Sequence, residues 1–217
     1  MPTEPSPAHQ PAAHPAVAAA QALSHAASAV AAAWEQPVGP NAYSRAVSQL
    51  YSVLRDLGIA IRGLARYRVI PPAPPGPSDR GFAQHATTSA AWLLGAWHSL
   101  DGVLAAEGLG PLRDLAGPGD ALCQAARGAI TAWRQPSGTA ADRDSTAGQL
   151  ITAIVCLSEA TLSLAGYAPR HRAIDLYAVG AGLAEARVAL ASAIQVPAGQ
   201  GIRHRGRAAT GHPGGRE

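Results

Sequence analysis

Lysine is missing from this chain of 217 residues: all 17 basic residues are arginine. Charged residues of both signs make up only 14%, and the formal charge of +3 is too small to imply a polyanionic partner by itself. Aromatic residues are 5%, with a single phenylalanine, so the apolar content is mostly alanine, which buries little area per residue. Only two cysteines occur, Cys123 and Cys156, too few for a disulfide framework; they read as core thiols of a reducing, cytoplasmic compartment. The N-terminal stretch has no basic region ahead of its alanine run, unlike a signal peptide. No stretch of about 18 uncharged, strongly apolar residues is present. The nearest, Leu150 to Gly166, contains Glu159 and several hydroxyls and reads as a buried helix, so no membrane insertion is expected.

Chemistry-bearing motifs are missing as well. The eight histidines are scattered, with no HxxxH, HExxH or CxxC, and no ExxH pair of the kind a di-iron bundle needs. Neither GxGxxG, GxxxxGK nor GxSxG occurs. Asp114 and Asp120 sit in a linker and at a helix start, which explains them without catalysis. No enzyme activity, cofactor or metal is therefore expected. A small-molecule reading would need a deep pocket beside Trp92, Trp97 or Trp133.

What is present is helical periodicity; a hydrophobic share of 47% excludes wholesale disorder. Six helices are predicted, over about 14–35, 42–67, 80–107, 120–134, 140–166 and 172–195. The second carries a heptad seam of the coiled-coil type, Tyr43, Val47, Leu50, Leu54, Leu57, Ile61 and Leu64. Asp120 is placed as the N-cap of the fourth, and Thr139 with Asp142 as a capping box for the fifth. The sixth is given the seam Leu176, Gly180, Leu183, Leu190 and Ile194.

The chain also resembles itself. AWxQPxG occurs at Ala33–Gly39 and again at Ala132–Gly138, where proline ends the helix and glycine permits reversal. In that register Leu23 meets Leu122, and after one inserted residue Leu50 meets Leu150, Leu57 meets Leu157 and Tyr67 meets Tyr167. The fold class expected is all-α: a tandem duplication of a three-helix unit, packed as a six-helix pseudo-two-fold bundle. Residues 14–107 form repeat one, with a proline-rich linker at 69–79. Residues 108–119 link it to repeat two, 120–196, and the tails 1–13 and 197–217 are expected to be disordered.

Function is sought where the copies differ. Arg55, Arg62 and Arg66 project within about 20° of one direction on the second helix, roughly 130° from its leucine seam. Tyr51 joins that face. The matching places on the fifth helix, Val155, Leu162 and Gly166, with Ile151 at the place of Tyr51, are apolar apart from Glu159 at the edge, so that helix is either central or part of a protein contact. The reading is a non-enzymatic scaffold or adaptor that binds another protein or a second copy of itself through Ile151, Val155 and Leu162. The alternative is a nucleic-acid accessory protein using Arg55, Arg62 and Arg66 with tail residues Arg203, Arg205 and Arg207.

Overall fold

A computed structural model describes residues 14–35, 40–70, 77–106 and 118–195. The expected tails, most of the inter-repeat linker, most of the proline run, and Arg203, Arg205 and Arg207 lie outside the described residues. In chain order the elements are α1 (Pro15–Trp34), α2 (Pro40–Leu64), β1 (Arg68–Val69), α3 (Pro77–Ala106), α4 (Pro118–Ala132), β2 (Ser137–Gly138), α5 (Ala140–Tyr167) and α6 (Arg170–Gln195). The protein is mostly helical, with six helices among the described residues.

Proline opens each of the first four helices. Its fixed φ suits the first helical position, where its missing N–H has no partner to lose. This moves the start of α4 to Pro118, so Asp120 lies inside the first turn instead of capping it. There its carboxylate favours the positive helix end and accepts from the Gln124 amide at 3.0 Å. The Thr139–Asp142 capping box forms as expected: the Thr139 hydroxyl accepts from the Asp142 backbone N–H at 3.1 Å, and Asp142 accepts from the Thr139 backbone N–H at 2.9 Å.

All seven seam residues of α2 are buried, as are Leu150, Ile154, Leu157 and Leu164 of α5. The inward faces of all six helices contribute to one continuous apolar core. Helix α1 packs along α5 and α4, α2 along α3 and α4, α5 along α6, and α6 along α3. The helices therefore close a ring in the order α1, α5, α6, α3, α2, α4, with α2 and α5 touching across it.

Polar groups reinforce two of these contacts, α2 with α4 and α1 with the end of α4, and add a link between α3 and α5. Buried Asp56 of α2 pairs with Arg55 at 2.8 Å and with Arg127 of α4 at 3.7 Å. Buried Arg143 of α5 lies over the Phe82 ring of α3, its guanidinium carbon 4.8 Å from the ring centre, and donates to Asp79 at 2.7 Å and Asp144 at 3.0 Å. The Trp133 indole N–H donates to the Ala16 carbonyl of α1 at 3.1 Å.

Strand signals are almost absent from the sequence, yet β1 and β2 form a short parallel pair. The Arg68 N–H donates to the Pro136 carbonyl at 2.9 Å and the Ile70 N–H to the Gly138 carbonyl at 2.8 Å. Local propensity does not drive this pairing. The ends of α2 and α4 are brought side by side by their packing, and the emerging backbones satisfy each other.

Candidate functional site

Helix α6 carries two apolar stripes. Leu176, Leu183 and Leu190 recur every seven residues and are fully buried. Ile174, Tyr177 and Val188 lie about 120–180° around the helix from that seam. They are exposed by 69%, 54% and 52%; the exposed Ala178 and Ala181 continue the same side, and one exposed charge, Glu185, interrupts it. The stripe is flanked on both sides. Leu162 of α5, half exposed, lies against Gly180 of α6, within 3.5 Å of where a β-carbon would stand. Trp92 of α3, also half exposed, lies on the α6 side of its helix, its carbonyl 3.5 Å from the β-carbon position of Gly182. One apolar face thus runs from α3 across α6 to α5.

The three α5 residues singled out in the sequence do not share one environment. Ile151 is half-buried and packs against the core, Val155 is half-buried, and Leu162 alone of the three is exposed. The α6 residues that complete the face were not legible as such. Ile174 and Val188 stand fourteen residues apart, two heptads, on the side opposite the leucines, and that spacing is the signal that finds them. Ile194, assigned to the inner seam, is 37% exposed.

The arginines of α2 also separate. Arg55 is turned onto Asp56, while Arg62 and Arg66 are exposed. Tyr51 leaves that face and packs on Trp97 of α3, ring centres 5.4 Å apart. Arg66 lines an open cleft of about 800 Å³ where β1 and β2 meet. Its other walls include Tyr67, Arg68, Ile70, Asp79 and Arg134. Burial, followed by the nearby Asp142 carboxylate, pushes the Tyr67 hydroxyl up to about 12, so it stays protonated at neutral pH. Trp92, Trp97 and Trp133 do not line this cleft.

Both cysteines are free thiols. Buried Cys123 is pushed up to about 11 by loss of solvent and points at the Gln49 carbonyl, 3.8 Å away. Among the described residues no three His, Cys, Asp or Glu side chains are grouped to hold a metal ion. No family model matches the chain, and no curated protein or solved structure matches it.

The expectation of a cytoplasmic chain without membrane insertion is corrected by α1, α5 and α6. These helices, of 20, 28 and 26 residues, each contain an 18-residue stretch apolar enough to cross a membrane by length and composition, with mean hydropathy over that stretch of 1.3, 1.6 and 1.2. Only 44% of each such stretch is buried inside the molecule, which leaves more than half of it facing outward or half covered. A single Glu159 does not disqualify α5. One ionised residue at a span's centre costs about 3 kcal/mol, which a run of leucine, isoleucine and valine offsets in large part.

Proposed function

We propose that the chain is a non-enzymatic helical scaffold or adaptor whose contact surface is the outer face of α6, continued by Leu162 and Trp92. The observation that carries this reading is the pair of opposed stripes on α6, one fully buried and one exposed. A largely apolar exposed face, broken here between Ile174 and Val188 by Glu185 alone, is costly in water and is characteristic of a recognition surface, and a helix presented in this way is read through anchors spaced along one side. The test is a Tyr177→Ser/Val188→Ser variant. It keeps the melting temperature within about 2 °C, since neither residue belongs to the core. Size analysis of native extract should show wild type in a larger assembly and the variant released from it. Equal sizes for the two proteins contradict the reading, as does selective binding of the wild type to protein-free liposomes.

A second reading, contact with nucleic acid, is supported by the exposed Arg62 and Arg66, which have no carboxylate partner among the described residues. It expects binding to random DNA at low salt that weakens steeply as salt rises; no binding at low salt removes it.

The scaffold reading includes an origin by duplication. Its support is that exchanging α1 with α4, α2 with α5 and α3 with α6 leaves the pattern of neighbours unchanged. Trp34 and Trp133 are both buried at helix ends. Tyr67 and Tyr167 each reach the AWxQPxG turn of the opposite half: a β-carbon on Gly138 would collide with the Tyr67 hydroxyl, and the Tyr167 hydroxyl donates to the Glu35 carbonyl at 3.3 Å. In this account the halves exchanged their first helices, so α1 lies against α5 and α4 against α2.

A further inference from the structure

We infer that the cleft between β1 and β2 binds a phosphate-bearing small molecule through Arg66, Arg68 and Arg134. This site is separate from the α6 face and does not depend on the scaffold reading. The three arginines come from two distant stretches of chain, the exit of α2 and the turn after α4, and the parallel strand pairing brings them onto the walls of one concavity. Among the described residues none of the three has a carboxylate partner. The carboxylate on the cleft wall, Asp79, is held by Arg143 at 2.7 Å. The segment that follows β1, residues 71–76, reads Pro-Pro-Ala-Pro-Pro-Gly and contributes no charge.

Three like charges around one cavity repel each other, and an external anion relieves that repulsion. Guanidinium groups match phosphate oxygens with paired N–H donors and remain charged at any physiological pH. Val69, Ile70 and Pro136 supply apolar wall for an organic portion, and about 800 Å³ is within the range of small-ligand sites. A nucleic-acid strand would instead need cations tracking along a surface, with aromatic faces to stack on, and a single concave cleft walled by one tyrosine offers neither.

The experiment is calorimetric titration of the full chain with inorganic pyrophosphate at low salt. Wild type should bind saturably at one site. Arg68→Gln/Arg134→Gln should lose at least about tenfold in affinity, each single Gln variant about threefold, and Arg68→Lys should retain part of the binding because it keeps the charge but not the fork. Arg187→Gln on α6 controls for net charge and should stay within about twofold. All the cleft arginines are exposed, and unchanged circular dichroism verifies folding; should the double variant misfold, the single variants carry the result. Absence of saturable binding by wild type, equal affinity in the Gln variants, or an equal loss in Arg187→Gln overturns the inference.

Discussion

At the scale of single residues, the buried polar groups act as fasteners between helices. Arg143 is the clearest case, because one side chain pairs with Asp79 of α3, pairs with Asp144 on its own helix, and covers the Phe82 ring. Its partners are partly solvated, so the loss on Arg143→Ala should fall below that of a fully buried pair, about 2 kcal/mol, or roughly 4–8 °C in melting temperature. Thermal unfolding followed by circular dichroism checks this; an unchanged midpoint would show the pairing to be ornamental. Cys123 and Tyr67 supply a pH prediction. Both groups ionise at higher pH in the folded chain than their ordinary values of 9.0 and 10.0, so the stability they contribute is complete below those values. It is lost as pH rises through about 11 for Cys123 and about 12 for Tyr67. Denaturant midpoints should therefore decline above pH 9, and Cys123→Ala should flatten the first part of that decline. At neutral pH the Cys123 thiol should resist iodoacetamide until the chain unfolds, whereas half-buried Cys156 reacts earlier.

At the scale of elements, the helices were legible because seven-residue spacing of large side chains survives an alanine-rich background. The α2 seam and Leu150, Ile154, Leu157 and Leu164 of α5 are all buried where that spacing puts them. What could not be read was anything set by two elements meeting. The strands β1 and β2 exist because two helix ends arrive together, and Arg134 joins Arg66 across a sequence gap that no local pattern bridges. The outer stripe of α6 was hidden for a different reason: a helix apolar on two sides gives no single direction to its pattern, and the seam Leu176, Gly180, Leu183, Leu190 and Ile194 leaves Ile174, Tyr177 and Val188 unassigned. Two charge insertions on α5 separate the faces. Leu157→Glu places an unpaired charge in the core and should abolish cooperative unfolding. Leu162→Glu adds a charge at a half-exposed position and should lower the midpoint by no more than about 3 °C. A comparable collapse in both variants would make the α5 edge of the proposed face part of the interior.

At the scale of the molecule, the ring order matters more than the chain order. Helix α1 finds its neighbours in α4 and α5, so the front three helices lack a closed interior of their own. The full chain should therefore melt in one transition, and a fragment of residues 14–107 alone should show helical signal without a cooperative melt. A fragment that melts sharply would mean two independent bundles in place of a shared core. The same ring presents α6 between α3 and α5 with its second apolar stripe turned outward, and on that stripe the functional account stands. Its most direct test is a photoreactive phenylalanine analogue placed at position 177 and irradiated in living cells, with position 187 as control. A discrete protein adduct from position 177 and none from position 187 is the predicted result; lipid adducts alone, or no adduct at all, would contradict it.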